Sequence, residues 1–149
     1  MKGRNADHAN RSVAAVVAIV LVASAFLFLR GAPEQVVGVS QDGLVRASGL
    51  TRSAGSLVVE RIDDVETSVT AVRSPVYEVS FTGNGRLDQG ELVMEIDEDE
   101  SLSDSALYAF DRETLNWIEL PTLFDLSHAT LSTSLSFSGS LLVVAGARE

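Results

Sequence analysis

Two hydrophobic patterns divide the chain. From Ser12 to Leu29 runs an uncharged stretch of 18 residues, SVAAVVAIVLVASAFLFL, closed by Arg30. At about 1.5 Å per residue such a helix spans about 27 Å, close to the roughly 30 Å hydrocarbon core of a bilayer. This segment predicts a single transmembrane helix. After Pro33 the pattern changes to short apolar alternations separated by Gly, Asn, Asp and Ser, without a sustained helical period, and such text predicts strands. Leu57, Val59 and Arg61 alternate with Val58, Glu60 and Ile62, and Tyr77, Val79 and Phe81 with Val76, Glu78 and Ser80. Gly83-Asn84-Gly85 is expected to supply the positive backbone angles of a tight connection, after which Leu92, Met94 and Ile96 point one way and Glu91, Val93 and Glu95 the other.

Further on, Ala106 to Phe110 and Leu115 to Leu120 flank the polar loop Asp111-Arg112-Glu113-Thr114, the length of a hairpin connection. Tyr108 and Trp117, on opposite arms, are expected to stack across it. Ala129, Leu131, Thr133, Leu135 and Phe137 alternate with Thr130, Ser132, Ser134 and Ser136, giving one strand an apolar face and a hydroxyl face. Leu141 to Ala145 is apolar throughout, as suits a central strand covered on both sides. Eight or nine strands with turn signals about every ten residues predict an all-β fold, an antiparallel β-sandwich. The expected organisation is a basic cytoplasmic tail (1–11), the membrane helix (12–29), a linker (30–35) and the sandwich (36–147).

Charge sets the orientation. Residues 1–30 carry four Lys/Arg and one Asp, whereas residues 31–149 carry seven Arg and twenty Asp/Glu, net −13. By the positive-inside bias the amino terminus stays in the cytoplasm and the acidic part is exported, in a single-pass protein of the cytoplasmic membrane. Ala23-Ser24-Ala25 has the form of a signal-peptidase site, so a secreted product is the alternative; Phe26 to Leu29 would then begin the mature chain with four bulky apolar residues. An acidic exported part repels phosphate backbones and anionic headgroups, which argues against nucleic acid and acidic membrane surfaces as partners; its place beside the bilayer makes another membrane or envelope protein the expected partner.

Chemistry-bearing residues are few. The absence of cysteine excludes disulfides, thiolate metal sites and thiol nucleophiles. Asp97-Glu98-Asp99-Glu100 with Ser101, Ser103 and Asp104 is the densest acidic run, and calcium favours such oxygens. Its spacing fails as a calcium loop, because Leu102 falls where glycine is needed and Tyr108 where a bidentate glutamate is needed. A solvated loop with at most weak calcium binding is the reading, and no metal or cofactor site is assigned. No Gly-x-Ser-x-Gly elbow accompanies His128, and no phosphate-binding glycine motif occurs. The uncharged hydroxyl face of Thr130, Ser132, Ser134 and Ser136 is the candidate partner surface.

The order Ser74-Pro75-Val76-Tyr77-Glu78-Val79-Ser80, a Gly-rich turn, Leu92 to Asp97, Ala106-Leu107-Tyr108-Ala109-Phe110-Asp111, Asn116-Trp117-Ile118-Glu119-Leu120-Pro121 and Ser136-Phe137-Ser138 resembles the ZU-five-like β-sandwich. That module is known from ankyrins, netrin receptors and prokaryotic surface proteins, and the resemblance covers about Val36 to Ala147. It implies a structural or interaction module. Some relatives carry His-Phe-Ser here and cut themselves between Phe and Ser; in this chain Ser136 stands at the histidine position. The group that would take the proton from Ser138 is missing, so Ser136-Phe137-Ser138 is expected to be a vestige without self-cleavage. The expected protein is non-catalytic, held at the membrane by residues 12–29, and displays an acidic sandwich outside.

Overall fold

Alternating buried and exposed positions turn one face of several strands inward, as a period of two requires. The computed structural model describes residues 32–96 and 102–148. Among them run ten strands: β1 (Glu34–Val39), β2 (Val45–Thr51), β3 (Leu57–Ile62), β4 (Val76–Phe81), β5 (Leu87–Glu95), β6 (Ser105–Asp111), β7 (Asn116–Glu119), β8 (Leu123–Asp125), β9 (Thr130–Phe137) and β10 (Ser140–Ala147). One short 3-10 turn, Leu102–Asp104, precedes β6. The strands form two five-stranded antiparallel sheets, ordered β1-β2-β5-β9-β8 and β3-β4-β10-β6-β7. The all-β sandwich expectation holds. The count exceeds it, because the three residues of β8 are too few for alternation to register.

The chain divides after Pro33, and the fold is that of the second unit. β1 opens at Glu34, so the expected linker ends earlier than residue 35. The tail, the apolar stretch 12–29, the site at Ala25 and the acidic run 97–101 lie outside the described residues. Among the described residues no helix is long and apolar enough to cross a membrane.

The core lies between the sheets. Val45, Ala47, Leu87, Leu92, Met94, Leu131 and Leu135 of the first sheet meet Leu57, Val59, Tyr77, Val79, Phe81, Leu107, Val143 and Ala145 of the second. A second cluster lies on the outer side of the second sheet, where Val69 and Val65 cover Val76, Ala106, Tyr108, Val144 and Leu142. The segment 63–75 is tied there by Arg73 N–H to Ala145 O at 2.8 Å and Ala147 N–H to Thr70 O at 3.0 Å. Gly146 permits the contact, since a Cβ at that position would overlap the Val69 side chain. β10 is thus central and covered on both faces, as its continuous apolar run predicts.

Two expectations are corrected. Gly83-Asn84-Gly85 is a short connection from β4 to β5, which belong to different sheets, but it does not use the positive backbone angles expected of it. Among the described residues the positive-φ glycines are Gly43 and Gly139. Gly83 serves close approach instead, since a Cβ there would lie 2.5 Å from Ala54 O and 2.6 Å from the Phe81 ring. In the β6–β7 hairpin, register sets Phe110 opposite Trp117 and Tyr108 opposite Glu119. The aromatic pair across the hairpin is therefore Phe110–Trp117, with ring centroids 5.5 Å apart and the planes tilted by 60° rather than stacked.

Candidate interaction surface

The two sheets differ on their outer sides: segment 63–75 covers part of the second, whereas Val37, Val39, Arg46, Glu91 and Ser134 on the first are exposed. Register lays out that open face in rows. Val39, Arg46, Val93, Ser132 and Leu123 stand side by side across all five strands, and Val37, Ser48, Glu91 and Ser134 form the next row. Thr130, Ser132, Ser134 and Ser136 share this outer face, while Leu131, Thr133 and Leu135 are buried. The hydroxyl face deduced from alternation therefore exists as one continuous line along β9.

Its members differ in occupancy. Ser136 Oγ accepts from Arg86 Nε at 2.9 Å and donates to Leu87 O at 3.3 Å. Ser132 and Ser134 make no side-chain hydrogen bond among the described residues. A groove of about 940 Å³ adjoins them, lined by Gln89, Gly90, Glu91, Pro121, Thr122, Leu123 and residues 132–136. Thr133 lines it too, and its buried Oγ1 has no hydrogen-bond partner. The contributions of β5 and of Pro121 to Leu123 escape sequence reading. Their signal is the apolar Leu123-Phe124-x-Leu126 pattern, whose side chains are largely exposed, Leu123 at 74%.

His128 lies not on β9 but in the turn before it. Its Nδ1 stands 2.8 Å from Asp125 Oδ2 and 3.0 Å from Ser127 Oγ, while Ser127 Oγ donates to Asp125 Oδ1 at 2.5 Å. Hydrogen bonding from the Ser127 hydroxyl, and then from His128, holds the Asp125 carboxyl down at about 2. A catalytic relay needs the nucleophile on one imidazole nitrogen and the carboxylate on the other. Here both meet Nδ1 in an exposed turn, which is the geometry of a turn closure.

Ser136 and Phe137 end β9, and Ser138 sits with Gly139, φ 75°, in the turn to β10. His128 precedes the opposite end of the same strand, so the structure does not bring it to Ser138. Among the described residues no group of three His, Asp or Glu side chains could hold a metal ion. Family models, curated proteins and solved structures yield no match to the chain.

Proposed function

We propose that this chain is a non-catalytic interaction module, an acidic β-sandwich held at the outer side of the cytoplasmic membrane by residues 12–29. The single observation that carries the interaction role is the asymmetry of cover: the first sheet leaves a mostly uncharged face open, from Val37 and Val39 on β1 across β2 and β5 to the serines of β9. Uncharged strand faces with scattered apolar groups suit protein partners. The net charge of −13 over residues 31–149 disfavours nucleic acid and anionic lipid headgroups. Anchoring would confine the module to two dimensions and raise its encounter rate with a membrane or envelope protein. The ZU-five-like resemblance agrees with a supporting role.

Site-specific photo-crosslinking of the full chain in cells tests this reading. A recurrent protein adduct from probes at Ser132 or Ser134, absent from a probe at Glu60 on the second sheet, is the expected result. Equal labelling from all three positions, or none, overturns it. Intact mass of the membrane fraction tests the anchor: the full chain is expected, and a product lacking the residues up to Ala25 indicates secretion.

A further inference from the structure

β9 has eight residues, but β8 pairs only with Thr130, Leu131 and Ser132. From Thr133 to Phe137 no described strand lies on that side. The free backbone groups can be assigned. Ala129 O accepts from Ile96 N–H at 2.9 Å, and Leu135 O lies 2.9 Å from where a Gly90 Cβ would be, so odd-numbered carbonyls turn toward β5. By the two-residue alternation of a ladder, the N–H and C=O groups of Ser134 and Ser136 point off the open edge.

Exposed edges are normally blunted by lysine, proline, bulges or inward charges. Thr133-Ser134-Leu135-Ser136-Phe137 contains neither a charge nor a proline, and the register shift opposite Leu135 to Phe137 adds its extra residue to β5, between Leu87 and Gly90, and not to β9. The edge also borders the 940 Å³ groove, whose lining includes residues 132–136. Pro121 and Leu123 wall one end of that groove.

We propose that the edge of β9 from Thr133 to Phe137 receives an extended, basic peptide segment of another protein, added as a sixth strand to the first sheet. This rests on the interaction-module reading. Backbone pairing with Ser134 and Ser136 gives affinity, and alternate side chains give selectivity. Glu91 is the cross-strand partner of Ser134 on the outer face. A side chain opposite Ser134 on an added strand lies two strand spacings from Glu91, about 9.6 Å, which a lysine or arginine crosses over the short serine. Charge selects against a second copy of this chain, because each would bring the net −13 of its residues 31–149 and its own Glu91 to the joint. Leu123, 74% exposed, offers an apolar contact where the added strand meets β8.

The test uses the full chain in detergent micelles and a fluorescent peptide of alternating valine and lysine. Fluorescence anisotropy should register binding that weakens with salt, and hydrogen exchange of the Ser134 and Ser136 amides should slow about tenfold or more. Ser134→Pro blocks the outward N–H without removing a ladder bond, and should weaken binding about tenfold. If that variant unfolds, the intact protein with a peptide N-methylated on the pairing side reads the same backbone bonds, with the same loss expected. Glu91→Lys should weaken binding at low salt only. Equal binding of a glutamate-for-lysine peptide, protection confined to β1, or protection that rises with protein concentration alone each overturns the proposal. Absence of peptide binding together with crosslinks at Ser132 overturns strand addition while leaving the broader interaction reading standing.

Discussion

The phenolic hydroxyl of Tyr77 donates to Asp42 Oδ2 at 2.8 Å, joining a ring buried on the inner side of the second sheet to the β1–β2 turn of the first. The same carboxylate accepts from Ser40 Oγ at 2.6 Å and from Leu44 N–H at 3.1 Å. Tyr77→Phe keeps the ring and deletes the bond. It should cost about 1.5 kcal/mol, the range for a hydrogen bond to a charged group, read as a lower urea midpoint at unchanged slope. An unchanged midpoint would show that the turn is held without it.

The same bonds give a pH signature. Partial burial of Asp42 opposes its ionisation but is outweighed by hydrogen bonds from Ser40, Tyr77 and Leu44, so its pKa lies below the ordinary 3.8. A carboxyl depressed on folding contributes stability above its unfolded pKa and loses it as pH falls through the folded value. The stability gap between wild type and Asp42→Asn should therefore be full near neutrality and narrow as pH drops below 3.8. Paired melts across that range check it, and a gap independent of pH contradicts the linkage.

Local alternation carried much of the fold. Val76 to Phe81 is a strand with the boundaries its pattern implies, and the two faces of β9 sort as leucine against serine. Pairing between distant strands has no local period to announce it. Hence Gly83, an apparent turn glycine, proved to serve packing against Ala54 and Phe81. The Trp117 partner is Phe110 and not Tyr108, two residues away, because Asp111 and Asn116 pair at the hairpin's end and thereby fix Phe110 opposite Trp117. The hydroxyl surface was legible in the sequence, but the short reach of β8 that opens its edge was not, since a three-residue strand leaves no pattern.

Thr133 is 4% exposed, and its Oγ1 finds no partner. Thr133→Val preserves shape and removes a desolvated hydroxyl, so the variant should gain about 1 kcal/mol. Chemical denaturation measures the gain. A loss of stability would mean that the hydroxyl is satisfied in solution.

Phe110 and Trp117 face each other across the hairpin at 5.5 Å. A double-mutant cycle with leucine at both positions should return a coupling of about 0.5–1.5 kcal/mol. A coupling indistinguishable from zero would leave the pair as two independent contacts with their own surroundings.

Self-cleavage before Ser138 would need a base at its hydroxyl and a strained peptide carrying the carbonyl of Phe137. His128 lies beyond the far end of β9 and is engaged with Asp125 and Ser127. The tight turn to β10 is accommodated by Gly139, whose φ of 75° suits a residue without a side chain. Purified protein held for days at neutral pH should therefore keep a single mass across the Phe137–Ser138 bond, and Ser138→Ala should behave identically. Two fragments meeting at that bond, lost on substitution of Ser138, would establish a serine that acts without histidine.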